Sequence, residues 1–143
     1  APEPPGGWEW RLVWDKGRPG LGSPWRWSHE MIYVRGGWGN APGIPSVLRH
    51  SAPLAMREAH HPHEKPVALI AELLTGAPPG VIADPFMGSA STAIAAIRTG
   101  RRFIGCEIDP THFATAVRRV QNELAQPMLF PRTEPVAVQA MLA

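Results

Sequence analysis

Apolar residues recur with helical spacing in the middle of the chain, and this pattern predicts a helix there. Val67, Ile70 and Leu74 are separated by about three to four positions, which is the spacing of one helix face. Pro66 suits the first turn of this helix, and Gly76 suits its end. The helix is therefore predicted to lie between these two residues.

Two further helices are predicted from composition and end signals. Alanine and isoleucine dominate residues 91–99, and a glycine follows, which is typical of a helix and its C-terminal stop. Asp109 can cap a third helix whose first residue is Pro110. Its apolar positions should face the core: Phe113, Val117, Val120 and Leu124. Arg118 and Arg119 should point away from that face.

Short apolar runs bounded by Gly and Pro predict four strands. Residues 81–84 and 102–107 alternate with the predicted helices, which indicates a βαβ unit and a parallel sheet. Residues 81–84 are expected to form a buried strand of that sheet. Residues 10–14 and 31–34 predict two strands upstream of the unit.

The same pattern divides the chain into three parts. Residues 1–60 are rich in Trp, Gly and Pro, include the two upstream strands, and form a candidate target-facing region. Within them, residues 36–59 lack any period and are predicted to be an irregular connection. Residues 61–126 contain the alternating helices and strands. Residues 127–143 mix Pro with apolar residues and are predicted to be a tail or docking segment.

Composition favours one globular domain in a reducing compartment. Of the 143 residues, 44% are hydrophobic and 18% are charged, which argues against general disorder. Cys106 is the only cysteine, so no intramolecular disulfide can form. No apolar run approaches the roughly 18 residues of a membrane span, and no secretory leader is recognisable. We interpret the protein as cytoplasmic and expect no membrane association.

The segment from Asp84 to Thr92 is a candidate ligand-binding turn, because it follows a predicted strand and precedes a predicted helix. Gly88 would let the backbone approach a ligand closely. Ser89 and Ser91 lie near a helix N-terminus, whose N–H groups favour a carboxylate. The alternative is an ordinary tight turn without a ligand.

Glu107 supplies a second candidate contact, at the end of the next predicted strand and about 20 residues downstream. A carboxylate in this place can accept hydrogen bonds from both hydroxyls of a ribose. The glycine spacing differs from Gly-x-Gly-x-x-Gly, so a nicotinamide cofactor is not favoured. Without its context, Glu107 could equally be a solvated strand end.

Three blocks of sequence carry a resemblance to a known family. Residues 84–92 resemble the Asp-Pro-Phe-x-Gly-Ser-Gly-Thr motif of the N6-adenine and N4-cytosine DNA methyltransferases, and residues 101–109 are similar to the segment that follows it. Residues 61–66 resemble the family's His-Pro-Thr-Glu-Lys-Pro block. This order matches the permuted branch, in which the catalytic motif precedes the cofactor motif. Weaker similarity extends the resemblance over about residues 7–124.

The resemblance implies an α/β, Rossmann-like methyltransferase fold that is incomplete at its N-terminal side and uses S-adenosylmethionine (SAM). It implies methyl transfer to N6 of adenine or N4 of cytosine in double-stranded DNA, as in restriction-modification. Asp84 would lie near the sulfonium. The implied cofactor-binding residues are His61, Lys65, Pro66, Asp84, Phe86, Gly88, Ser89, Ser91, Thr92 and Glu107.

The chain departs from the family in three places. Ala90 stands where the family has a second Gly, which is tolerable at negative φ and costly at positive φ. His63 replaces a Thr. The catalytic Asp/Asn/Ser-Pro-Pro-aromatic tetrapeptide does not occur, so we name no catalytic residue. We expect the chain to bind cofactor but not to methylate unaided, and a missing N-terminal segment or a partner chain would complete the site.

The Trp-rich region offers a candidate nucleic-acid contact. Trp25, Arg26 and Trp27 combine stacking and cationic groups in a predicted loop, which suits a splayed nucleotide. Trp10 and Trp14 lie on a predicted strand and are expected in the core instead.

Other interpretations of the whole chain remain open at this point. It could be a non-catalytic nucleic-acid-binding or partner module that retains the cofactor fold. It could also methylate small molecules, proteins or RNA, because a fold does not specify a substrate. His60, His61 and His63 match no common zinc spacing, and no metal site is predicted.

Overall fold

The computed structural model describes residues 6–20, 23–38, 43–51, 64–126 and 138–142. Six strands and three helices occur among these residues. In chain order they are β1 (Trp10–Asp15), β2 (His29–Val34), β3 (Val47–Arg49), α1 (Val67–Thr75), β4 (Val81–Asp84), α2 (Ser91–Arg98), β5 (Arg102–Glu107), α3 (Pro110–Ala125) and β6 (Val138–Leu142). None of these helices has both the length and the apolar character needed to cross a bilayer.

The strands form two three-stranded sheets. In the first, β1 lies between β2, which is antiparallel to it, and β3, which is parallel. In the second, β5 lies between β4 and β6, and all three strands run parallel. The carboxyl ends of β4 and β5 therefore meet at one edge, with Asp84 in register with Gly105.

Helix α1 packs against both sheets with different sides. Leu69, which is only 3% exposed, joins a core cluster with Trp14 and Leu48 of the first sheet. Leu74 belongs to the second cluster, which also contains Phe103 of β5. Apolar residues around more than one side of α1 are consistent with a helix covered from two directions. Helix α1 thus connects the two halves of the structure.

Helix α2 is central to the second half of the structure, the part that contains α1, the second sheet and α3. Its residues 93–97 are all buried, and Ile97 is completely inaccessible. The alanines in this run have no side chain beyond Cβ, so α1 and β5 can approach the helix closely. This packing fixes where the N-terminus of α2 lies.

The predicted helices and strands are confirmed, including most of their end signals. Gly76 is the C-cap of α1, and Gly100 follows α2 with φ 69°. Asp109 caps α3 by accepting hydrogen bonds from the N–H groups of Thr111 and His112. Pro66 differs slightly, because it is the N-cap of α1 and lies just before its first turn.

Two strands were not predicted. β3 lies within the stretch expected to be an irregular connection, and β6 lies within the expected tail. Neither run is long enough to show a period. Each forms by pairing with a distant strand, β3 with β1 and β6 with β5. The sequence of either run by itself therefore does not predict a strand.

Three predicted burials within residues 81–124 are wrong. Arg119 does not point away from the core: its side chain is only 15% exposed, because it follows buried Ala116 by three residues and shares its face. Leu124, expected in the core, is 42% exposed near the end of α3. Val81 of β4 is 48% exposed, because it shares the exposed face of the strand with Ala83, whereas Ile82 on the other face packs against the core. Arg118 is exposed, as predicted.

Candidate functional site

The segment after β4 forms a tight turn that leads directly into α2. The Oδ1 atom of Asp84 accepts a hydrogen bond from the N–H of Phe86 at 3.0 Å. The N–H of Ala90 donates to the carbonyl oxygen of Met87 at 2.8 Å. Gly88 has φ 51°, a conformation that glycine adopts without steric cost. The predicted ligand-binding turn therefore has the conformation that its glycine indicates.

Ala90 has φ 69°, although it is not a glycine. Both signs of φ were open for this position, and the structure has the costly positive one. A left-handed conformation costs an L-residue about 1–2 kcal/mol. Ala90 is completely buried as the N-cap of α2, so the surrounding packing holds the strained conformation.

Glu107 joins the ends of the two strands. Its Oε2 atom accepts a hydrogen bond from the N–H of Gly88 at 2.8 Å, and its Oε1 atom accepts one from the N–H of Asp109 at 2.9 Å. The residue is 9% exposed. Each carboxylate oxygen can accept a further hydrogen bond, so the group can support the turn and still bind a hydroxyl.

A cavity of about 260 Å³ opens beside the turn. Glu64, Lys65 and Ile70 line it from the side of α1. The lining includes these residues predicted to bind cofactor: Lys65, Asp84, Phe86, Gly88, Ser89, Ser91 and Thr92. The strand–turn–helix segment and the block before α1, which are distant in sequence, thus share one concave site.

Two other predicted cofactor residues, Pro66 and Glu107, do not line the cavity. Pro66 is buried as the N-cap of α1, and Glu107 lies behind the turn that it supports. His61 is outside the described residues. Phe86 lines the cavity and is nevertheless 88% exposed, so its ring is available to a ligand.

Lys65 is held by the first sheet. Its ammonium group pairs with Glu30 of β2 and lies 5.1 Å from the centre of the Trp14 ring. Lys16 also pairs with Glu30, at 2.6 Å, and lies 5.3 Å from the same ring. Partial burial by itself raises the pKa of Glu30, but the hydrogen bonds and charges of the two lysines outweigh it and lower that pKa overall.

Two charged residues at this site were missed by the sequence analysis. Arg119 of α3 donates one hydrogen bond to the carbonyl oxygen of Ser89, at 2.5 Å, and another to Glu64, at 2.7 Å. Glu64 lies in the block that resembles the family, so the resemblance could have indicated it. Arg119 gave no signal beyond its spacing from Ala116, because its partners are distant in sequence.

The Trp25–Trp27 segment lies away from the cavity, in the loop between β1 and β2. Trp25 is 86% exposed and Trp27 is 64% exposed, and Arg26 between them is also exposed. Trp14 is buried, as predicted, and its indole N–H donates to the carbonyl oxygen of His50. Trp10 is 56% exposed, so its expected place in the core is wrong. It pairs with Val34 of β2, at the end of β1 that β3 does not reach.

Within the described ranges, no three His, Cys, Asp or Glu side chains gather closely enough to hold a metal ion. The concave regions beside Trp10 and beside α3 are lined mainly by apolar residues, and the second one includes Met87 of the turn. Of these three regions, the cavity beside the glycine turn is the one lined by charged side chains.

The parallel sheet, the glycine turn before α2 and the acid at the next strand end define a Rossmann-like α/β class, which binds adenosyl cofactors and related nucleotides at this edge. A family model described as DNA methylase, of the N6/N4 methyltransferases, matches residues 11–118. The chain belongs to this family.

Individual relatives agree with this assignment. The chain is 47% identical over 87 residues to YubD of Escherichia coli (strain K12), a match covering 56% of this chain and 36% of YubD. It is 38% identical over 63 residues to the DNA adenine methyltransferase YhdJ of the same organism, a match covering 43% of this chain and 21% of YhdJ. The chain thus spans about a third or less of these relatives.

A solved structure is similar as well. The crystal structure of the M1.HpyAVI–SAM complex superposes with a TM-score of 0.62 and 28% sequence identity. The match covers 78% of this chain and 61% of that one. The expected α/β fold, incomplete relative to its relatives, is confirmed.

Proposed function

We propose that this chain is the cofactor-binding part of a SAM-dependent methyltransferase that modifies N6 of adenine or N4 of cytosine in double-stranded DNA. The observation that carries the proposal is the bond between Glu107 and the N–H of Gly88, beside a cavity lined by polar residues. Family membership and the SAM complex of a structural relative support the same cofactor.

The chemistry of the site fits SAM. The N-terminus of α2, with Ser89, Ser91 and Thr92, can bind the carboxylate of the methionine moiety. Asp84 at the end of β4 places a negative charge where a sulfonium would be stabilised. Glu107 can accept hydrogen bonds from the ribose. When bound, SAM supplies an electrophilic methyl group, and the residues of this chain orient it.

Methyl transfer also needs a group that holds the target amine in line with the methyl group. The family's catalytic tetrapeptide does not occur in this sequence. The proposal is therefore that a segment of a longer protein, or a partner chain, supplies it. The chain by itself binds SAM without methylating DNA.

The exposed loop with Trp25, Arg26 and Trp27 is the proposed DNA contact. Aromatic rings can stack on an unpaired base, and a guanidinium can bind a phosphate. All three side chains are accessible to a partner. Because DNA is the proposed substrate and the single cysteine needs no oxidising compartment, we also propose a cytoplasmic location.

Isothermal titration calorimetry with SAM and with S-adenosylhomocysteine tests the proposed cofactor. The native chain should release heat with both compounds, and Asp84→Ala and Glu107→Ala should each weaken binding. Glu9→Gln, a change at an exposed position just before β1, is the matched control and should bind like the native chain. The proposal would be overturned if neither SAM nor S-adenosylhomocysteine released heat with the folded chain.

The alternative function is a non-catalytic nucleic-acid-binding module. The exposed Trp25 and Trp27 side chains favour it, because they lie apart from the cofactor cavity. Duplex DNA binding that is unchanged by SAM, together with no measurable binding of SAM, would support this alternative over the methyltransferase.

A further inference from the structure

A buried ion pair lies beneath the glycine turn. Arg119 of α3 donates from Nη2 to Oε1 of Glu64, at 2.7 Å. The two side chains are 15% and 5% exposed, so little water reaches either charge. Removing one partner of such a pair leaves a buried charge without compensation. This burial distinguishes the pair from Arg98–Glu123, where the arginine side chain is 52% exposed.

The same guanidinium also binds the turn. Nη1 of Arg119 donates to the carbonyl oxygen of Ser89 at 2.5 Å. The hydroxyl of Ser91 donates to the Oε1 atom of Glu64 at 3.4 Å. Arg119 and Glu64 thus connect α3, the segment before α1 and the first residue of α2. An arginine can bind two acceptors at once because its donors are fixed in one plane.

The carbonyl group that Arg119 binds belongs to the peptide unit between Ser89 and Ala90. Rotation of this unit about the N–Cα bond of Ala90 changes φ of Ala90, which is 69°. An alanine at this φ is strained, and rotation to a negative φ would lower its free energy. Two hydrogen bonds oppose that rotation: the bond from Arg119 to the Ser89 oxygen, and the bond from the N–H of Ala90, in the same peptide unit, to the carbonyl oxygen of Met87.

We propose that Arg119 and Glu64 are positioning residues that hold the strained Ser89–Ala90 peptide in the conformation that binds cofactor. Arg119 fixes the peptide, and Glu64 fixes Arg119. The inference rests on the proposed function, since it concerns the same SAM site. It assigns to α3 a role in cofactor binding, although neither Arg119 nor any other residue of α3 lines the cavity.

The proposal predicts how cofactor affinity depends on Arg119. An apparent Kd rises in inverse proportion to the fraction of molecules in the competent conformation. Without the bond to Ser89, relief of strain at Ala90 shifts molecules away from that conformation. A strain of the expected size corresponds to a rise in Kd of about tenfold.

Arg119→Lys is the test variant. Lysine keeps a positive charge beside Glu64, but its single ammonium group cannot span both acceptors in the same geometry. We expect the Kd for SAM, measured by calorimetry on the full chain, to rise about tenfold. Arg118→Lys, the adjacent exposed arginine on the same helix, is the matched control and should leave the Kd unchanged.

Substitution of the strained residue supplies a readout that a purely structural role would not change. Glycine tolerates positive φ, so Ala90→Gly removes the reason for the peptide to rotate. In the Arg119→Lys background, Ala90→Gly should restore most of the lost affinity. In the native background, its effect on Kd should be much smaller. This non-additivity is the expected signature of coupling between the two positions.

The outcomes separate the inference from the proposed function. If the native chain binds no SAM, both fail. If it binds SAM and Arg119→Lys binds equally well, only the inference fails. Failure of Ala90→Gly to restore affinity in a folded Arg119→Lys chain also overturns it. Should Arg119→Lys not fold, Glu64→Gln takes its place with the same expected rescue, because a neutral amide holds the guanidinium less firmly.

Discussion

The carboxylate of Glu107 accepts a hydrogen bond from the N–H of Gly88 at 2.8 Å, although 19 residues separate them. The bond joins the end of β5 to the turn that follows β4. One acid therefore shapes the turn and, in the proposed function, also accepts hydrogen bonds from the ribose. Its two roles make it the most sensitive position of the proposed site.

Glu107→Gln should weaken SAM binding by about tenfold or more and lower the free energy of unfolding by about 1–3 kcal/mol. The glutamine amide keeps one acceptor but turns an NH₂ donor toward the N–H of Gly88 or Asp109. Calorimetry and chemical denaturation measure the two effects. Glu9→Gln should change neither, and unchanged SAM binding in Glu107→Gln would argue against a ribose contact.

Ala90→Gly should change the free energy of unfolding by less than about 1 kcal/mol, because relief of left-handed strain offsets the greater flexibility of glycine in the unfolded chain. Ala95→Gly is the matched control, since Ala95 is equally buried in the interior of α2. It should cost about 1–2 kcal/mol, from lower helix propensity and the loss of a buried methyl group. Denaturant titration compares the two, and equal losses would contradict strain at Ala90.

Trp14→Phe should lower the free energy of unfolding by about 1–3 kcal/mol. Phenylalanine leaves the carbonyl oxygen of His50 without the indole N–H and loses part of the ring that Lys16 and Lys65 approach. Trp25→Phe, at an 86% exposed position, should leave stability unchanged. If both substitutions lowered the free energy of unfolding equally, the burial and hydrogen bond of Trp14 would not be the cause of its loss.

Glu30 should stabilise the protein at neutral pH and lose this effect in acid. Its pKa in the folded protein is lowered by Lys16 and Lys65 despite partial burial. The contribution is therefore present above the ordinary value of 4.5 and disappears as pH falls through the lowered pKa. The stability difference between native and Glu30→Gln chains should shrink between pH 7 and strongly acidic pH. A constant difference would contradict the prediction, and Glu9→Gln provides the reference.

Arg26→Gln should weaken binding of a labelled duplex by the chain and reduce the salt dependence of that binding by about one unit of slope, as expected for one lost phosphate contact. Trp25→Ala should weaken it through lost stacking, with little effect on folding because the ring is exposed. Fluorescence anisotropy across a salt series measures both changes. Arg102→Gln, an exposed change on β5, serves as the control.

The sequence alone determined most elements of the second half and their order. The end signals at Gly76, Gly100 and Asp109 work within one helical turn, so they can be read without any tertiary contact. The glycine turn and Glu107 were also identified, because a strand–turn–helix segment followed by an acidic strand end is a local pattern with fixed spacing. Their meeting at one edge followed from parallel strands.

The tertiary structure decided what depends on partners distant in sequence. Strands β3 and β6 exist because β1 and β5 offer free edges, and neither run shows a period by itself. The sequence left the sign of φ at Ala90 open, and only the folded structure shows that it is positive. Arg119 looked like a solvated charge, because its acceptors on Ser89 and Glu64 lie 30 and 55 residues away. A local pattern can determine an element, whereas the partner of a buried charge is set by the three-dimensional fold.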